Sequence, residues 1–211
     1  MLKKPVMKID VENVSKKFGS RSLFSGISCH LGAGDCLIIT GRNGSGKSTL
    51  VKILARLLRP TSGTVAFMYE GQECCDWEDC LSHIGFVSPE IMFYDNLTGR
   101  ENLEFMARAR GVRLLPAQFE ETLARVGLDS RGSQFVKTYS TGMKQRLKFA
   151  AMLALEPIVW FVDEGLSNLD ADGRGLVLDL VKQSLEKGCV LIMATNDVLE
   201  AEYATQTIAL S

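Results

Sequence analysis

The run GRNGSGKST, Gly41 to Thr49, lies directly after the apolar stretch DCLIIT and directly before KSTLVKILARLL. Gly41, Gly46, Lys47 and Ser48 stand at the G-x-x-x-x-G-K-[ST] spacing, which curls the backbone so that successive N–H groups face inward on phosphate oxygens. Asn43, Gly44, Ser45 and Thr49 belong to the same phosphate-binding set. The next helix offers its positive N-terminal end, Lys47 reaches the β- and γ-phosphates, and Ser48 is placed to ligate Mg²⁺. A glycine turn carrying a solvated lysine would not explain the strand before and the helix after. Leu50, Ile53, Leu54 and Leu57 fall at helical spacing, which predicts a helix running to Arg59-Pro60. The chain therefore has to fold as an α/β nucleotide binder.

A loop of this kind serves kinases, GTPases, motors and transport ATPases alike, so a second marker has to decide. IVWFVDE is an apolar strand ending on Asp163 and Glu164. There Asp163 suits a grip on Mg²⁺ and Glu164 can polarise an attacking water. On this stretch taken singly, a strand that merely ends in an acidic turn fits as well. A further apolar run, VLIMATND, residues 190 to 197, stops on Thr195, Asn196 and Asp197. Such a run suits a parallel sheet covered on both faces, and in open parallel sheets ligands sit beyond the carboxyl ends of the strands.

The composition narrows the class. With 211 residues, 46% hydrophobic and 23% charged, the chain can bury one sizeable core with an insertion. A net charge of −1 and a pI near 6.2 supply no basic footprint, so no nucleic-acid partner is expected. Lys3 and Lys4 meet Pro5 without an apolar segment behind them, and no run reaches the roughly 20 apolar residues of a membrane helix. Cys29, Cys36, Cys74, Cys75, Cys80 and Cys189 are scattered, so free thiols are expected. Cys74, Cys75, Cys80 and His83 cluster, yet lack the paired C-x-x-C spacing of zinc folds.

Along the chain, VMKIDVENV, GISCHL and DCLIIT read as strands, and GTVAFMYEG and SHIGFV as two more. From about Glu90 to Leu155 the pattern turns helical. GRENLEFMARARG and PAQFEETLARVGL are amphipathic, and a third helix starts near Gly142 with Met143, Leu147, Ala150, Ala151 and Ala154 on one side. The strand IVWFVDE, the helix GRGLVLDLVKQSLEKG and the strand VLIMATND follow. One domain over residues 1–211 is expected: a core of 1–89 and 156–211 with an N-terminal antiparallel β-subdomain, and a helical subdomain over about 90–155. The predicted class is an α/β P-loop NTPase with a mostly parallel sheet.

YSTGMKQRLKFAAMLALEP lies between the two nucleotide motifs, and DEGLSNLD follows. Ser140, Gly142, Gln145, Arg146, Pro157, Asp163, Glu164, Ser167, Leu169 and Asp170 are in the order and spacing of the ATP-binding module of ABC transporters, which the chain resembles over almost its whole length. The resemblance implies an ATPase with ATP and Mg²⁺ as cofactors. It implies that Phe18 stacks on adenine, although Phe18 also fits as core. Two modules would dock head to tail, with Ser140 and Gly142 of one meeting the γ-phosphate held by the other, and Asp170 near the partner's site. It further implies a transmembrane permease on a separate chain and a peripheral place on the cytoplasmic face of the membrane. SPEIMFYDNLTGRENL would be the hinge that moves the helical subdomain; Phe93, Tyr94 and Leu97 fit equally as docking residues or as packing.

Several positions depart from the family pattern. Asn196 stands where the family presents a His that hydrogen-bonds the γ-phosphate, so binding is expected to survive and hydrolysis to weaken. Glu90 is the nearest candidate for the hinge Gln and would ligate Mg²⁺ through its carboxylate. Thr141, Met143 and Asn168 are smaller changes, and Gly165 is expected to loosen the placement of Glu164. Asn196 leaves two readings: a weak site in a heterodimer, or slow hydrolysis centred on Glu164 in a homodimer. The form STGMKQR resembles export-type modules, and the end at Ser211 resembles the compact haem-exporter ATPase of cytochrome c maturation. A soluble ABC ATPase serving a non-transport assembly is the alternative, and a module that holds ATP without turnover is the third.

Overall fold

The computed structural model describes residues 7–74, 80–196 and 202–211. Two sheets organise the chain. The first is antiparallel and contains β1 (Met7–Phe18), β2 (Arg21–Leu31), β4 (Ser62–Tyr69) and β5 (Gln72–Glu73), in the order β2-β1-β4-β5. The second holds β3 (Cys36–Gly41), β6 (Ile84–Val87), β7 (Val159–Asp163), β8 (Val190–Ala194) and β9 (Gln206–Leu210), in the order β6-β7-β8-β3-β9. Every pairing in this second sheet is parallel.

The near-continuous apolar runs of the central strands have a direct cause: both faces of the sheet are covered. Leu37, Ile39, Phe161 and Ile192 point into a core shared with the antiparallel sheet and α1 (Lys47–Leu54). Their neighbours Ile38, Trp160, Val162 and Leu191 point the other way, into a core shared with the helices. Those helices are α2 (Gly99–Ala109), α3 (Pro116–Arg125), α4 (Thr141–Leu153) and α5 (Ala171–Glu186). The period of two along each strand thus divides its residues between two cores.

α1 is shorter than its apolar spacing predicts, ending at Leu54 instead of running to Arg59-Pro60. Arg56 takes φ 54, a left-handed conformation that stops a helix, and Leu57 is 55% exposed, so it supplies no buried contact to extend the stripe. β9 is absent from the sequence reading. Its short edge run QTIAL alternates between partly buried and exposed positions, which a scan for continuous apolar strands passes over.

The predicted helices of the insertion form where their stripes place them. Thr98 and Glu101 close a capping box at the start of α2, satisfying donors that the first turn leaves open. Asn102, 1% exposed, accepts from the Tyr94 N–H at 2.8 Å and donates to the carbonyls of Tyr94 and Thr98 at 3.0 and 2.9 Å. One buried amide therefore folds the segment 94–98 onto α2.

Candidate active site

β7, β8 and β3 are adjacent in the parallel sheet, so their carboxyl ends bring three distant segments together: Asp163 and Glu164, Thr195 and Asn196, and the phosphate loop. The loop needs its glycines. Gly41, Gly44 and Gly46 have φ of 147, 81 and 104, a region that residues with a Cβ rarely enter. At Gly41 a Cβ would also lie 2.6 Å from Ser45 Oγ, and at Gly46 2.6 Å from the Leu23 side chain. Lys47 is 6% exposed and donates from Nζ to the carbonyls of Gly41 at 2.7 Å and Arg42 at 3.3 Å. Ser45 Oγ is buried without a hydrogen-bond partner.

Asp163, 4% exposed, accepts from Ser48 Oγ at 3.0 Å. Burial raises its carboxyl above the ordinary value; the Ser48 bond and Lys52 pull it back down, while Glu164 and Glu90 push it further up. An orphaned hydroxyl in the loop and a buried carboxylate bonded to a serine fit phosphate oxygens and a divalent cation, since Mg²⁺ takes one or two carboxylates together with phosphates. Glu90, the other predicted metal residue, is exposed and ion-paired with Lys52 Nζ at 2.5 Å. Lys52, overlooked in the sequence, thus stands between two carboxylates.

Glu164 is exposed just past β7, with φ 51. Its N–H donates to the Ala194 carbonyl at 3.1 Å, and its carbonyl accepts from Ser167 Oγ at 2.6 Å. Lys47, Glu164, Asn168, Arg174 and Asn196 line one cleft of about 480 Å³. Arg174 lies one turn into α5 beyond its cap Asp170, and nothing in its local sequence marks it as a cleft residue. Asn196 Oδ1 accepts from the Gly41 N–H at 3.3 Å, which ties β8 to the phosphate loop. Asp197 lies outside the described residues.

Ser140 and Asp170 are helix caps. Ser140 Oγ accepts from Met143 N at 3.2 Å at the start of α4, and Asp170 Oδ1 accepts from Gly173 N at 2.9 Å at the start of α5, each satisfying an end that would otherwise be open. Gly142 approaches the Asn168 carbonyl, where a Cβ would sit at 3.2 Å. Gln145, 6% exposed, donates to the Gly165 carbonyl at 2.7 Å, so α4 is bonded to the loop that carries Glu164. Phe18 lies outside both cores, 54% exposed, with Lys16 Nζ 5.0 Å from its ring centre.

Gly165 does not loosen this loop. A Cβ there would collide with Val162 Cγ1 and lie 3.1 Å from Phe149 Cζ, so glycine is present because the backbone packs against the core. Gly165→Ala is expected to destabilise the fold by about 1–3 kcal/mol through overpacking. Urea unfolding of the two proteins measures this, and an unchanged midpoint would show that the packing relaxes freely.

The segment 88–95 is held by two lysines of α4. Lys148 Nζ donates to the carbonyls of Ser88 at 2.9 Å and Pro89 at 3.3 Å, and Lys144 pairs with Asp95 at 2.8 Å. The two lysines are four apart and share one face of α4. Beside them lies a groove of about 610 Å³ whose lining includes Met92, Phe93, Tyr94, Phe105 and Met106. Tyr94 stands edge-on to Phe105, with ring centres 5.1 Å apart. Phe93 also packs against the helical core, the packing role that the sequence allowed it.

His83 stacks on Tyr69 with ring centres 4.5 Å apart, and Cys75 lies outside the described residues. Among the described residues no group of three or more His, Cys, Asp or Glu side chains is placed to hold a metal. No disulfide joins Cys29, Cys36, Cys74, Cys80 and Cys189 to one another, and burial pushes the Cys29 thiol up to about 11. None of the described helices is long and apolar enough to cross a membrane.

A parallel sheet with a phosphate loop after β3, an acidic end to β7 and a helical insertion bonded to that end defines the ABC ATPase fold. The chain belongs to the ABC transporter family, whose profile it matches over residues 24–167. It is 37% identical over 208 residues to the energy-coupling factor transporter ATP-binding protein EcfA1 of Halalkalibacterium halodurans, covering 95% of this chain and 74% of that one. It is 35% identical over 199 residues to the cytochrome c biogenesis ATP-binding export protein CcmA of Rhizobium johnstonii, covering 92% and 90%. It is 32% identical over 204 residues to the daunorubicin resistance ATP-binding protein DrrA3 of Streptomyces coeruleorubidus, covering 95% of this chain. In that last case it spans 64% of the relative's length, just under two thirds. Among solved structures, an ATP-binding subunit of an ABC transporter superposes with a TM-score of 0.81 at 25% identity, over 96% of this chain and 85% of that one. The dimeric ATP-binding cassette MJ0796, bound to ADP and Pi, shares the fold with a TM-score of 0.81 at 24% identity, over 96% and 94%.

Proposed function

We propose that this chain binds MgATP and hydrolyses it as the ATP-binding subunit of a membrane transporter, working on the cytoplasmic face as a head-to-tail dimer with a copy of itself or a related subunit. The observation that carries this is the single cleft shared by Lys47, Glu164 and Asn196 at the carboxyl ends of neighbouring strands. In this reading the loop from Gly41 to Thr49 cradles the phosphates, Phe18 stacks on the base, and Ser48 and Asp163, with Glu90 as a further candidate, would hold Mg²⁺. Mg²⁺ supplies neutralisation of phosphate charge. Glu164 polarises the attacking water, and Lys47 offsets negative charge as it develops.

Ser140 and Gly142, at the N-terminal end of α4, serve the nucleotide held by the partner subunit, and Asp170 lies at the same junction. Residues 90–155 act as the helical subdomain. Its Met- and aromatic-lined groove receives the transmembrane permease. We read the direction as export, from the STGMKQR signature and from relatives named for export and resistance. Asn196 favours a second reading, a weak or non-hydrolysing site completed by a different ATPase subunit.

The test is MgATP hydrolysis by the purified chain across a range of protein concentrations. Specific activity that climbs with concentration is the expected result for a self-sufficient dimer. A flat background rate with ATP still bound would favour the heterodimer. Recovery only in the soluble fraction, with no membrane protein co-purifying, would support a non-transport assembly.

A further inference from the structure

Both backbone polar groups of Gly41 are engaged by side chains that line the cleft. Its N–H donates to Asn196 Oδ1 at 3.3 Å, and its carbonyl accepts from Lys47 Nζ at 2.7 Å. Only glycine fits at this peptide, because Ser45 Oγ and the Leu210 carbonyl crowd the place of a Cβ. A primary amide has one accepting end and one donating end. Turning Asn196 over would set its NH₂ against the Gly41 N–H, donor against donor, so the chemistry determines its orientation. Nδ2 is then the end left for a ligand's oxygens.

We propose that Asn196 is a positioning residue that holds the Gly41 peptide and, through it, sets where Lys47 Nζ rests. Its consequence for turnover rests on the ATPase reading above; the link itself does not. The side-chain type at 196 also decides how the link responds to acid. A neutral imidazole can accept from the Gly41 N–H, whereas an imidazolium has only donors. An amide keeps its acceptor at every pH of interest. The charged groups sharing the cleft are Lys47, Glu164 and Arg174, and Asn196 adds no titrating group to them.

The experiment follows the Gly41 amide by NMR hydrogen exchange in the ¹⁵N-labelled full chain, without nucleotide, at pH 5.5 and pH 8. Wild type, Asn196→Asp, Asn196→Ala and Asn196→His are compared, with ATP affinity and turnover measured in parallel. Position 196 is exposed, and a full spectrum of each variant verifies its fold. Relative to the intrinsic rate at each pH, Gly41 is expected to be equally protected in wild type and in Asn196→Asp. In Asn196→Ala it exchanges at least about tenfold faster, the loss of one hydrogen bond of roughly 1.4 kcal/mol. In Asn196→His protection is present at pH 8 and lost at pH 5.5. Equal protection in wild type and Asn196→Ala would overturn the proposal whatever the ATPase rates show. Exchange results as expected, combined with no turnover in wild type, would overturn the homodimeric ATPase reading and leave the link standing.

Discussion

Glu164→Gln is expected to lower MgATP turnover at least about 100-fold, the scale of general-base catalysis, while ATP remains bound. The backbone geometry explains why so much depends on one side chain. Glu164 sits at φ 51, a conformation that costs a residue with a Cβ about 1–2 kcal/mol. It is held there by bonds from its N–H to the Ala194 carbonyl and from Ser167 Oγ to its own carbonyl. Strain persists where surroundings over-determine it, as at functional sites. Glutamine keeps the shape and these backbone bonds but cannot take a proton. Phosphate release measured against size-exclusion chromatography in ATP should therefore show lost turnover alongside an accumulating dimer. Turnover within a few-fold of wild type would mean that another group activates the water.

Asp163→Asn should move stability and function in opposite directions. The Ser48 bond to Oδ1 at 3.0 Å can be kept by the amide oxygen, whereas the charge that would hold Mg²⁺ is lost. Its loss is expected to weaken the metal at least about 10-fold, the lower end of the scale for carboxylates that support metal ligands from the outer shell. Because burial raises the folded carboxyl above its unfolded value, the folded protein holds this proton more tightly than the unfolded chain. Stability from this group is present at low pH and is lost as pH rises from the ordinary carboxylate value through the raised one. The variant lacks that loss, so at neutral pH it should unfold at an equal or higher temperature than wild type. Manganese titration in the presence of ATP, and thermal unfolding at pH 4 and pH 7, measure the two effects. A variant that is less stable at neutral pH would show that the carboxylate is favourable where it lies.

Much of the site was legible because its parts are local. Gly41 to Thr49, Asp163 with Glu164, and Asn196 each sit at a strand end, and an apolar run followed by a break shows where a strand stops. Other features were legible as residues but not as roles. Gly165 suggests freedom until Val162 and Phe149 are seen against it. Ser140 and Asp170 read as ligand groups, and each also caps a helix. Glu90 is legible as a carboxylate near the site, whereas its ion pair with Lys52 depends on how α1 faces the segment 88–95. Asn102 gave no signal, since a polar residue inside GRENL looks like a solvated position until the segment 94–98 folds over it.

The phosphate loop, the acidic strand end, the helical insertion and the family can all be read from the residues, because spacing of a few residues and periodicities of 2 and 3.6 are properties of the local chain. Packing sets the rest: β9 beside β3, α4 bonded to the Glu164 loop through Gln145, and Asn196 bonded to the Gly41 N–H. The strand pairing and the two side-chain bonds join residues from 20 to 169 positions apart. Which of many possible partners lies opposite a given side chain is set by how the sheet and helices pack, and no local pattern encodes it.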